Sequence, residues 1–140
     1  MGNIAPENLI YGKDKKIYFI DDDSAFYFDP KNKKGETRQL SGKQPPIQSF
    51  DEADFMSIRA ALGHRLSFKD DLESLTYVLY WLLLGNLPWT GRAIVDMRET
   101  KENIGEIKKL CGDLPQAFFK LSAYTAAIEF DDEPDYNQLI

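Results

Sequence analysis

The chain has 140 residues, 43% of them apolar, which suits a single domain with a core of its own. Seventeen basic against 23 acidic residues leave a formal charge of −6. That balance opposes binding to nucleic acid and to anionic membrane surfaces, both of which call for a basic patch. One cysteine, Cys111, excludes an intramolecular disulfide. With no histidine or cysteine cluster around it, Cys111 reads as a small apolar residue and not as a zinc ligand. Residues 1–7 carry neither the basic start nor the apolar stretch of a signal peptide. The longest apolar run, 75–84, falls far short of the roughly 20 residues that span a bilayer, so no membrane insertion is expected.

In chain order, Leu9-Ile-Tyr11 and Ile17-Tyr-Phe-Ile20 are β-branched and aromatic runs around a turn-forming spacer, which predicts a β-hairpin. Residues 29–42 are rich in Lys, Gly and Asn and predict a solvated loop. Residues 41–53, with Gly42, Pro45-Pro46 and Asp51-Glu52, show no sustained period and continue it. Residues 70–84 predict a helix, with Asp70, Asp71 and Glu73 complementing the positive end of its dipole. It is apolar on nearly every face, and such a helix needs neighbours on every side. Gly85 is its C-cap and Pro88 bars extension. A more polar helix follows over 94–107. A third runs over 115–128, with Phe118, Leu121, Tyr124 and Ile128 at helical spacing. A last short helix starts near Pro134. The lone histidine, His64, and the tryptophans Trp81 and Trp89 are read as surface or packing residues.

Four blocks carry a resemblance. Asn3-Ile-Ala-Pro-Glu-Asn-Leu-Ile-Tyr11, ten residues before Asp21-Asp-Asp-Ser-Ala25, resembles the kinase catalytic loop His-Arg-Asp-x-Lys-Pro-x-Asn and its Asp-Phe-Gly loop. Phe68-Lys-Asp-Asp-Leu-Glu-Ser-Leu-Thr-Tyr-Val-Leu79 is similar to the casein kinase I run Arg-Arg-Asp-Asp-Leu-Glu-Ser-Leu-Gly-Tyr-Val-Leu. Gly85-Asn-Leu-Pro-Trp-Thr-Gly91 and Phe130-Asp-Asp-Glu-Pro-Asp-Tyr136 are similar to two further blocks of that family. Order and approximate spacing agree, and vaccinia-related and tau-tubulin kinases are more distant relatives.

The resemblance implies a mainly α fold with a small β-hairpin, the C-terminal lobe of a protein kinase lacking the N-lobe. It divides the chain into a catalytic-loop and metal-loop remnant (1–28), an activation-segment-like loop (29–58) and a helical subdomain (59–140). It puts Asn3 where the catalytic aspartate stands and Ala5 where the neighbouring lysine stands, and leaves Asn8 and Asp21 as vestigial metal ligands. Without a Gly-rich loop, a phosphate lysine or a catalytic carboxylate, the expectation is an inactive pseudokinase-like fragment. It would be no enzyme, with no cofactor and no bound metal. Asn8 would then hold its loop by side-chain hydrogen bonds.

Asp71 corresponds to the aspartate whose carboxylate accepts backbone N–H groups of the catalytic loop, a structural anchor. Asp54, where the family has arginine, would repel the acidic substrates that family prefers. Leu75, Leu79, Leu82 and Leu83 keep the character of a fully buried helix. The implied function is a protein-binding or structural subunit, with a partner protein or a second copy covering them. The alternative is one half of a split serine/threonine kinase completed in trans by an N-lobe chain. Either implies an intracellular setting in a eukaryote or a eukaryotic virus, in the cytoplasm or within a cytoskeletal or other large assembly.

Overall fold

The computed structural model describes residues 4–20, 50–62, 64–112 and 114–139. The readings that concern Asn3, Asp21, residues 21–49 and the Cys111 side chain lie outside the described residues. What is described is mainly helical, with one two-stranded antiparallel sheet.

A 3-10 turn at Pro6–Asn8, with proline at its first position, leads into β1 (Leu9–Tyr11). β2 (Ile17–Phe19) pairs with it in the register Leu9↔Phe19, Ile10↔Tyr18 and Tyr11↔Ile17. The connecting turn closes through Gly12 N–H to the Lys16 carbonyl at 2.8 Å and Lys15 N–H to the Gly12 carbonyl at 3.0 Å. Most of the hairpin's apolar and aromatic side chains, Ile10, Tyr11, Ile17, Tyr18 and Phe19, are exposed.

α1 (Phe50–Phe55) and α2 (Ile58–Ala61) follow. Both start inside the stretch read as loop over 29–58. The sequence there has no apolar period, and these short helices exist because they lean on α3 (Phe68–Leu84). α3 begins two residues before its expected start. Ser67 precedes it, and the Asp70 carboxylate folds back to accept the Ser67 N–H at 2.7 Å, the reciprocal half of a capping box. It ends at Gly85, whose φ of 73° is left-handed, the conformation that favours glycine.

The single helix expected over 94–107 is two: α4 (Ile94–Glu102) and α5 (Ile104–Cys111). Asn103, at φ −105° and ψ 92°, is extended and breaks them apart. α6 (Gln116–Ala127) matches its expected span, entered through Pro115. The final helix is only a 3-10 turn, Tyr136–Gln138.

α3 is the axis, with α6 packed along it and the Tyr80 hydroxyl bonded to Ser122 Oγ at 2.7 Å. The core gathers Ala53, Tyr77, Tyr80, Leu87, Trp89, Met97 and Ile107. Trp89 is completely buried and meets Tyr77 edge-on, ring centroids 4.9 Å apart. Trp81 meets Phe55 edge-on at 6.1 Å. Both tryptophans therefore pack, and His64 is on the surface. Among the described residues no helix is long and apolar enough to cross a membrane.

Candidate functional site: the polar hub at the start of the central helix

The first two turns of α3 place three carboxylates within four residues, Asp70, Asp71 and Glu73, and the fold gives each a different environment. Asp70, 2% exposed, is fully engaged. Its Oδ1 accepts the Ser57 hydroxyl at 2.7 Å, its Oδ2 accepts the Ser67 N–H, and Arg59 Nε stands 4.0 Å away. Ser57 caps α2, its Oγ also accepting the Ala60 N–H at 3.0 Å. One carboxylate thus fixes the start of α2 to the start of α3.

Asp71, also buried, has an Oδ2 with no hydrogen-bond partner. Burial raises its carboxyl to about 6 from the ordinary 3.8, and the neighbouring Asp70 charge pushes the same way. Tyr136 lies within reach of that charge: its hydroxyl is raised first by burial and next by Asp71. The anchoring expected of Asp71 concerns a loop of which residues 1–3 lie outside the described set. Among the described residues, its neighbour Asp70 is one carboxylate that ties segments together. Sequence reading gave Asp70 only a dipole role, since nothing local signals the Ser57 contact.

Glu73 accepts the Ile58 N–H at 2.9 Å and the Tyr77 hydroxyl at 2.6 Å, and burial raises its carboxyl. Facing it is Lys101 on α4, 7% exposed and unremarked in the sequence. Lys101 Nζ donates to the carbonyls of Ala53 at 3.0 Å and Met56 at 2.8 Å, and lies 4.5 Å from the centre of the Tyr77 ring. Burial lowers it to about 8, against the opposing pull of Glu73 and then Asp54. Asp54 is likewise buried. Its carboxylate accepts the Thr90 hydroxyl at 2.6 Å and its carbonyl the Trp89 Nε1–H at 2.9 Å. Asp54 therefore does not face a substrate, contrary to expectation: the α1 turn points it inward onto the 89–90 loop. Residues 53–58 are held from both sides, by α3 and by α4.

Near the N-terminus, Ala5 and Asn8 are buried, and the Asn8 carbonyl takes the Ile20 N–H at 2.9 Å, closing the hairpin beside residue 21. Among the described residues no group of three or more His, Cys, Asp or Glu side chains could hold a metal ion. Of the four leucines, Leu75 and Leu79 are half-buried, whereas Leu82 and Leu83 are 57% and 50% exposed. The C-terminal half of α3 thus shows the sequence of an interior helix and the surroundings of a surface one.

No protein-family model matches the chain. Casein kinase I homolog 2 of Schizosaccharomyces pombe is 35% identical to it over 150 aligned positions, covering 96% of this chain and 32% of that protein. Casein kinase I homolog 1 of the same yeast is 33% identical over 153 positions, covering 98% and 32%. These relatives correct one expectation. The chain was expected to be no enzyme, because the Gly-rich loop, the phosphate lysine and the catalytic carboxylate are missing from its sequence. The relatives are kinases by name and the 140 residues match only about a third of them, so parts missing from this third are no evidence of inactivity. The chain is casein kinase I-like over 96–98% of its length, and it spans about a third of the length of the curated relatives it matches.

Proposed function

We propose that the chain is the helical C-terminal lobe of a casein kinase I-like protein kinase fold, divided at 28 and 58 as the resemblance implies. Its task is to bind further polypeptide of that fold. The observation that carries this is the α3 stripe Leu75, Leu79, Leu82 and Leu83, which runs from half-buried to more than half exposed along one helix. Positions 75, 79, 82 and 83 lie on one helical face. Each fully exposed leucine forgoes about 1.5–3 kcal/mol of burial, a cost that a covering partner removes. The exposed Ile10, Tyr18 and Phe19 of the hairpin add a second apolar surface. The proposed occupant is kinase-fold polypeptide, because the relatives are three times as long as the stretch they share with this chain. The setting is intracellular.

Within such an assembly the hub has a clear duty. By resemblance, residues 53–58 belong to the end of the activation segment, and Asp70, Glu73 and Lys101 hold them at a fixed place against the lobe. A second reading, an interaction subunit serving some other complex, draws on Asn3 and Ala5 standing where the kinase pattern has Asp and Lys.

Co-expression with the kinase-fold part of casein kinase I homolog 2 outside the matched third tests the proposal. Co-purification that is lost in the Leu82→Lys/Leu83→Lys double variant is expected. Failure to co-purify, with a well-behaved monomer by light scattering and slow amide exchange throughout α3, would sink it. Phosphotransfer to casein by the co-purified pair separates the two readings.

A further inference from the structure

At its two ends the hairpin is bonded by Gly12 N–H to the Lys16 carbonyl and by Ile20 N–H to the Asn8 carbonyl. Bonded and non-bonded pairs alternate along an antiparallel ladder. In the register Leu9↔Phe19, Ile10↔Tyr18 and Tyr11↔Ile17, the bonded pair inside the hairpin is therefore Ile10↔Tyr18. The backbone N–H and C=O groups of Ile17 and Phe19 then point away from β1. Those of Leu9 and Tyr11 point outward on the opposite edge. That edge is already engaged: the Leu9 N–H bonds to the Pro6 carbonyl, and the 3-10 turn closes off its start. The edge of β2 has no such contact. Among the described residues no third strand joins the sheet, and Ile17, Tyr18 and Phe19 are 66%, 48% and 42% exposed.

A hairpin of two strands is marginal in water, and an edge of unpaired N–H and C=O groups is a template for another strand. The residues around β2 suit one mate, the same strand of a second copy. Antiparallel pairing centred on Tyr18 sets Ile17 opposite Phe19 of the second copy, an aromatic and β-branched pair, and the two-fold axis repeats each bond. Charge selects this direction. The chain enters β2 through Lys15 and Lys16 and continues after Ile20 as Asp21-Asp22-Asp23. Antiparallel pairing brings the basic end of one strand to the acidic end of the other, whereas parallel pairing sets like charge against like. We propose that the β2 edge pairs antiparallel with the β2 edge of a second copy, joining two hairpins into one four-stranded sheet. This surface is separate from the leucine stripe of α3 and does not depend on a kinase-fold partner there.

The test is sedimentation equilibrium of the 140-residue chain, joined to isotope-filtered NMR on a mixture of labelled and unlabelled copies. A monomer–dimer equilibrium is expected, with contacts between copies from Ile17 to Phe19. Phe19→Pro removes an N–H from the free edge and none from inside the hairpin, a place where proline is tolerated. It should weaken dimerisation about tenfold more than Phe19→Ala, which keeps that N–H. Should Phe19→Pro disrupt the hairpin, Lys15→Glu/Lys16→Glu decides the matter: it sets acid against acid and should weaken the dimer about tenfold or more. Leu82→Lys/Leu83→Lys should leave the dimer in place. A chain that stays monomeric at millimolar concentration overturns the proposal, as does a dimer indifferent to both the proline and the charge-reversed variants. A dimer lost in the double-leucine variant and kept in Phe19→Pro also overturns it, since the copies then meet through α3.

Discussion

The Ser57 hydroxyl donates to Asp70 Oδ1 at 2.7 Å across thirteen residues of sequence, with both side chains buried. That bond joins the cap of α2 to the cap of α3, so one carboxylate sets where two helices begin. Asp70→Ala strips the acceptor from the Ser57 hydroxyl and the Ser67 N–H together. A loss of about 1.5–3 kcal/mol is expected from hydrogen bonds to a charged group. Urea unfolding measures it. A midpoint equal to that of the parent would show that water replaces the carboxylate without cost.

Asp71 should behave in the opposite way above neutral pH. Its folded pKa, about 6, exceeds the ordinary 3.8, so between those values the folded state holds a proton that the unfolded state has released. The group's contribution is therefore most favourable below about pH 4 and declines as pH rises to about 6. Glu73, also raised, adds to the same slope. Asp71→Asn should be more stable than the parent by roughly 2–3 kcal/mol at pH 7, the difference closing near pH 4. A variant less stable than the parent at pH 7 would mean that residues 1–3 do bond to Asp71, as the family resemblance implies.

Lys101 carries the reverse sign at the basic end. A folded pKa of about 8 against the ordinary 10.5 means that the unfolded chain binds more protons between those values. Stability should accordingly rise between about pH 8 and pH 10 as the buried ammonium is neutralised. Thermal unfolding across that range, compared with Lys101→Met, isolates the effect: the upward slope should vanish in the variant. An identical slope in both chains would assign it to other groups.

Gly85 ends α3 at φ 73°, and a Cβ there would meet nothing within 4 Å. Gly85→Ala is thus a purely conformational perturbation. A cost of about 1–2 kcal/mol is expected from forcing a left-handed L-residue, readable as a lowered unfolding midpoint with an unchanged core. A neutral substitution would mean that the helix end shifts to a right-handed conformation at no cost.

Leu82→Lys/Leu83→Lys should leave the stability of the isolated chain within about 0.5 kcal/mol, as surface substitutions do. Its effect belongs to association, read by analytical ultracentrifugation with and without the kinase-fold partner. Strong destabilisation of the isolated chain would show that these leucines are covered within it.

What the sequence determined by itself was what is local or ordered along the chain. The hairpin followed from two aromatic and β-branched runs around a turn, α3 from its apolar content and Gly85, and α6 from its period after Pro115. The four ordered blocks pointed to casein kinase I, and the relatives agree over nearly the whole chain. Tertiary structure alone decided that Asp70 bonds Ser57, that Asp54 turns inward, that Asn103 splits a helix, and that Lys101 is buried opposite Glu73. It also decided that Leu82 and Leu83, apolar enough for an interior, stand in the open. The physical reason is range. Caps, turns and periods depend on neighbours within about four residues. The environment of a charge depends on contacts such as Lys101 to Ala53, 48 residues apart.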